Sequence, residues 1–164
     1  AKAEAFGDSV LSALSAEDPA QRLAGLDAVA GEDGQTAVLA FLTASQAETS
    51  GDKVRAVEAL KGIATDAALP ESYRHLAELK RILLLGAEMD AAERDAILAS
   101  LSEPGKPFRP LAMEQQALAL VAAGKAEEAI DLCRQILNEP TVTAALRRRA
   151  TEVIVALGGD PASE

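Results

Sequence analysis

Gly124-Lys125-Ala126-Glu127-Glu128-Ala129-Ile130-Asp131-Leu132-Cys133-Arg134-Gln135-Ile136-Leu137 is the stretch that decides the fold. Its glycine closes the helix before it. The residues that follow are helix formers with apolar side chains at 129, 130, 132, 133, 136 and 137, the pattern of a helix that buries one stripe. Working outward, Gly51, Gly86 and Gly124 are spaced by 35 and then 38 residues. Tyr73-Arg74, Phe108-Arg109 and Leu146-Arg147 follow the same two intervals, and each Arg is followed three residues on by Ala77, Ala112 or Ala150. Two independent markers thus share one register. A period of about 34 to 40 residues filled with helix formers predicts a helical-hairpin solenoid.

Composition agrees with that reading. At 164 residues the chain is long enough for one domain that needs neither disulfides nor metal. Hydrophobic residues make up 49% but aromatics only 2%, so Ala, Leu, Val and Ile carry the core through close helix packing. No run alternates with period two, which makes the expected fold all-α. A net charge of −10 argues against a nucleic-acid backbone as partner, since phosphate binding relies on a basic patch. Arg147, Arg148 and Arg149 form the one basic cluster, read as a solvated face paired with Glu152 and other acids. Cys133 is the single cysteine and is expected to serve as a small buried hydrophobe, leaving the redox compartment open. The apolar runs Ile82 to Leu85 and Ala117 to Ala123 fall far short of the roughly 20 residues of a spanning helix, so the chain as given is expected to be soluble. It begins at Ala1, without Met and already within a helical pattern, which predicts a missing upstream segment.

About nine antiparallel helices are expected, four hairpins plus a C-terminal cap. The first covers about residues 2 to 15 with Phe6, Val10, Leu11 and Leu14 on one face, and the second, capped by Asp18 and opened by Pro19, runs to about Ala30. Gly31 to Gly34 form a turn, and Val38, Leu39, Phe41 and Leu42 open a third helix that ends at Ser50-Gly51. Val54, Val57, Leu60 and Ile63 mark the fourth, and the fifth covers about 71 to 85. Asp90 and Glu93 form a capping pair for the sixth, and Ser102 to Pro107 is a turn-rich link. The last three cover about 109 to 123, 125 to 138 and 142 to 157, stopped by Gly158-Gly159. The single domain 1–164 is thus read as an N-terminal helical pair (1–34), degenerate repeats (35–70, 71–107 and 108–140), a capping helix (141–159) and a frayed tail (160–164).

The turn and second helix at Gly124 to Ile130, followed by Leu137 and Pro140, resemble the tetratricopeptide repeat. In that family an Ala five residues after the Gly packs on a small residue of the first helix; here these are Ala129 and Ala117, and one register earlier Gly51, Ala56 and Ala44. The middle unit departs, with Leu79 at the small position and Met89-Asp90 at the turn, and the family's large aromatics are mostly missing. Taken with Tyr73 to Lys80, Pro107 to Glu114 and Leu146 to Gly159, the whole chain resembles the tetratricopeptide-like domain of the bacterial inner-membrane-anchored ancillary Sec-translocon subunits, alphaproteobacterial type. That resemblance implies a single membrane span upstream, a periplasmic location, and a translocon component or periplasmic chaperone as partner.

No catalytic constellation is visible. His75 stands alone, read as an exposed or packing residue, the carboxylates lie at caps and surfaces, and Gly31-x-x-Gly34 lacks the residues of a phosphate loop. No enzyme, cofactor or metal is expected. Arg74, Arg109 and Arg147 are read as bridges to an acid or carbonyl of the preceding hairpin, and Tyr73 and Phe108 as core wedges. Counting back from each turn glycine, a concave groove would be lined by Phe41 and Ser45, Leu76 and Lys80, and Glu114 and Leu118. That set lacks a carboxylate clamp and suits an amphipathic helix or an extended apolar segment. The functional expectation is a non-enzymatic protein-interaction scaffold. A homodimerisation module without an open groove is the alternative.

Overall fold

A computed structural model describes residues 2–32 and 34–162. The expectations attached to Ala1, to Asp33 within the Gly31 to Gly34 turn, and to Ser163 and Glu164 in the tail lie outside the described residues. Among the described residues the protein is all-α, with nine α-helices and no strand: α1 (Lys2–Leu14), α2 (Pro19–Asp27), α3 (Gly34–Ser50), α4 (Lys53–Thr65), α5 (Glu71–Leu85), α6 (Ala91–Leu101), α7 (Arg109–Ala122), α8 (Ala126–Asn138) and α9 (Ala144–Ala156). A 3-10 turn, Gly86–Glu88, follows α5. The helices fall into two compact units, Ala1–Glu88 and Met89–Glu164. The division lies inside the stretch 71–107 read as one repeat, so α5 belongs to the first unit and α6 to the second. Within each unit, helices adjacent in sequence pack on one another, the nearest-neighbour construction of a helical-hairpin solenoid.

Glycine closes three helices by one mechanism. At Gly51 (φ 82°), Gly124 (φ 73°) and Gly158 (φ 84°) the backbone turns left-handed, which an L side chain adopts only at a cost. The amide after each glycine then reaches back five residues, from Asp52 to the Ala47 carbonyl (2.8 Å), Lys125 to Leu120 (2.9 Å) and Gly159 to Ile154 (2.9 Å). The glycine amide itself bonds three residues back, which completes a Schellman motif each time. Gly86 (φ 53°) differs: its amide bonds Ile82 and the chain continues into the 3-10 turn. The starts are equally explicit, with the side chains of Asp18, Asp52, Asp90 and Thr143 accepting from Ala20, Arg55, Glu93 and Leu146 amides.

In the first unit, small residues make the closest contacts. Ala47 and Ala56, both fully buried, pack with Leu23, while Ala44, Leu60, Ile63 and Ala77 form a neighbouring cluster to which Phe41, Leu69 and Leu84 add half-buried surface. Ala56 thus shares its cluster with Ala47 rather than with Ala44. Two apolar faces read from the sequence need correction. Leu11 is 67% exposed and α1 buries no residue fully, while on α4 Val54 is 70% exposed and the buried set is Ala56, Leu60 and Ile63. α2 ends at Asp27, short of Ala30, because the Ala28 and Val29 amides tighten onto Gly25 and Leu26. Arg22 closes the α1 to α2 connection from Nε to the Ala16 carbonyl (2.6 Å) and from Nη2 to the Glu17 carbonyl (3.1 Å).

The second unit centres on Met113, Ala117, Ile130, Cys133, Ile136, Leu146, Ala150 and Ile154, drawn from α7, α8 and α9. The stripe read on α8 is buried at Ala129, Ile130, Cys133 and Ile136, with Leu132 and Leu137 packing at its edge. The described part of the tail makes two hydrogen bonds. Arg134 donates from Nη2 to the Asp160 carbonyl (3.1 Å), and the Asp160 carboxylate caps the Ala162 amide (2.9 Å).

Candidate functional site

On α3, Phe41, Ala44, Ser45 and Glu48 recur at helical spacing on one face, and on α5 so do Tyr73, Leu76, Lys80 and Leu83. The structure brings these two faces together. The Phe41 and Tyr73 rings meet edge to face, with centroids 6.3 Å apart and planes at 81°, a favoured aromatic geometry. Farther along the same pair of helices, Ala44, Ser45 and Glu48 of α3, Lys80, Leu83 and Leu84 of α5, and Leu60 of α4 beneath them line a cleft of about 190 Å³. Four of the six groove positions read from sequence therefore stand on one face: Phe41 and Leu76 half-buried, Ser45 and Lys80 exposed. Tyr73 is 39% exposed, so it is a rim residue rather than a core wedge. Phe108 is half-buried.

The charges of this cleft are unspent. Glu48 and Lys80 are both exposed, line the same space, and have no side-chain hydrogen bond or ion pair among the described residues. Beside them Leu83 is 58% exposed. Leu83 thus stands exposed beside two charges of opposite sign that have no partner among the described residues.

The remaining two groove positions, in the second unit, behave differently. Glu114 is held by Arg149 in a two-pronged pair, Nε to Oε1 at 2.6 Å and Nη2 to Oε2 at 2.9 Å, and its side chain is only 12% exposed. The pair raises the Arg149 pKa, first through the Glu114 hydrogen bond, which locks the guanidinium charge in place. Glu114 is thus part of the fold's own packing, while Leu118 lies exposed on the same helix. A second cleft, of about 440 Å³, has Arg94, Asp95 and Lys125 at its edge and Leu120 and Leu132 in its wall. Its charges are already matched, Arg94 with Asp95 (2.9 Å) and Lys125 with Glu128 (3.2 Å).

The arginine series separates into two kinds. Arg109 donates to the Ser102 carbonyl at the end of α6 and to Glu139 (2.9 Å), and Arg147 donates to the Leu137 carbonyl of α8 (2.9 Å). Among the described residues Arg74 makes no such bond, and its Nε is buried without a partner there. His75 is mostly buried and stands 3.5 Å from Glu71 one turn earlier. Among the described residues no three His, Cys, Asp or Glu side chains converge as a metal site.

Two contacts missed from sequence carried a visible signal. Lys53 pairs with Glu88 (2.6 Å) and Arg149 with Glu114, and each pair is separated by 35 residues, the repeat interval itself. Opposite charges one period apart are neighbours in stacked hairpins, so searching that interval for charge pairs would have found both. Arg55 with Asp27 and Arg109 with Glu139 bridge shorter intervals of 28 and 30 residues and carry no such mark.

No protein-family model, curated protein or solved structure matches the chain.

Proposed function

We propose that this protein is a non-enzymatic interaction scaffold whose α3 and α5 face receives a protein partner. The observation that carries the reading is the cleft between α3, α4 and α5, with Leu83 exposed at its edge and Glu48 and Lys80 unpaired beside it. Affinity on such a surface comes from a buried apolar anchor, and the charges orient the partner. By resemblance to the ancillary translocon subunits, we place the chain on the periplasmic side of a single-span inner-membrane protein that handles secreted or envelope proteins. No helix among the described residues is long and apolar enough to cross a membrane, so the span in this reading lies outside them.

The test is crosslinking and pull-down of the natural full-length protein from membranes. Recovery of a translocon or chaperone component that depends on Leu83 supports the reading, and recovery unaffected by Leu83→Asp contradicts the docking face. Light scattering over a range of concentrations tests the self-association alternative. A constant monomer mass excludes the dimer, and a dimer that Leu83→Asp dissolves would replace a foreign partner with a second copy.

A further inference from the structure

We infer that the occupant of the α3–α4–α5 cleft is an amphipathic helix that seats one large apolar side chain between Leu60 and Leu84 and carries an acid toward Lys80 and a base toward Glu48. The inference rests on the scaffold reading and gives its site a partner chemistry. Size decides between ligand classes. The cleft holds about 190 Å³, below the roughly 300 to 1,000 Å³ of small-molecule sites, which leaves room for a single side chain. Ala44, Leu60 and Leu84 make its apolar lining, and the side chains that can orient an occupant are those of Ser45, Glu48 and Lys80. There the two charges sit on different helices, Glu48 on α3 and Lys80 on α5, and they do not satisfy each other across the gap. A helix lying over the cleft answers both, because residues one turn either side of its anchor reach the two rims at once. A partner with its charges in the reverse order would place acid on acid and base on base, which is how a shallow cleft gains direction. The net charge of −10 adds a long-range preference for a basic segment over a second copy of this chain.

The test uses a phage-displayed library of random peptides panned on the intact 164-residue chain and, in parallel, on the charge-exchanged variant E48K/K80E. Both changes fall on exposed positions, and circular dichroism confirms that the variant keeps its helices. The expected result on the natural chain is enrichment of peptides with one Leu, Met or Phe flanked three or four residues away by an acid on one side and a base on the other. The exchanged variant is expected to enrich the opposite order. An individual enriched peptide should lose roughly five-fold in affinity on Lys80→Glu alone, and all binding on Leu83→Asp. Enriched peptides that need Leu83 but show the same charge order on both chains would overturn the oriented-helix inference and leave the scaffold reading standing. Enrichment insensitive to Leu83→Asp, or none at all, would sink both.

Discussion

Cys133 is the single cysteine of the chain. It lies in the core of the second unit at 2% exposure, and its thiol pKa is pushed above the ordinary value by burial first and by Glu114 second. The sign of the pH effect follows. The unfolded chain ionises this thiol before the folded chain does, so stability is fully present below about pH 8.5 and is lost as pH climbs through the folded value. Urea midpoints compared between about pH 7.5 and pH 10 should fall more for the natural chain than for Cys133→Ala. Equal falls would show that the thiol is not the group responsible. Gly25 makes a second residue-scale case. A Cβ built there would stand 2.8 Å from the Ala13 Cβ and 3.0 Å from its Cα, both fixed by the backbone. Gly25→Ala must therefore push α1 and α2 apart, at a cost of about 1 to 3 kcal/mol in denaturant unfolding, and a neutral result would contradict the close approach.

At the scale of elements, helix ends proved easier to read than helix faces. Gly51, Gly124 and Gly158 and the caps at Asp18 and Asp90 are local devices, each fixed by one or two residues, and their sequence signals were accordingly plain. Faces are a property of packing. Leu11 and Val54 looked like core because they are large, yet the interfaces of the first unit are built on Ala37, Ala44, Ala47, Ala56 and Ala77, none more than 6% exposed. When alanines bring backbones this close, larger aliphatics are left free to face outward. Gly86 kept the spacing of the other turn glycines without their hydrogen bonds, because the chain enters a 3-10 turn there. The Schellman glycines make a testable contrast. Gly124→Ala, at φ 73° with open space around it, should cost about 1 to 2 kcal/mol from backbone strain alone. Gly159→Ala has no positive φ but places a Cβ 3.0 Å from Ile154 and 3.1 Å from Ile130, so its cost, read in the same assay, depends on how far two flexible side chains can give.

For the molecule as a whole, the repeat spacing foretold helical hairpins but not their grouping, since a period says nothing about where cooperative packing is interrupted. The boundary falls after Glu88, and the second unit holds a core of its own contributed by α7, α8 and α9. A chain of residues 89–164 is therefore expected to be helical and to unfold cooperatively, with the modest stability of so short a domain; a non-cooperative urea transition would contradict an independent core. The candidate site was half legible: positions counted back from Gly51 and Gly86 found Phe41, Ser45, Leu76 and Lys80, but those from Gly124 led to Glu114, which Arg149 occupies. Leu83 and Glu48 escaped that count, because what brings them into the proposed site is exposure and the lack of a partner among the described residues, which only the packed structure reveals. The central claim is that the α3 and α5 face docks a partner, and the most direct measurement is a photo-crosslinking amino acid placed at Ser45 of the natural full-length protein in its own cells. The account predicts one discrete adduct that disappears in the Leu83→Asp background. No adduct, or one indifferent to Leu83→Asp, would contradict it.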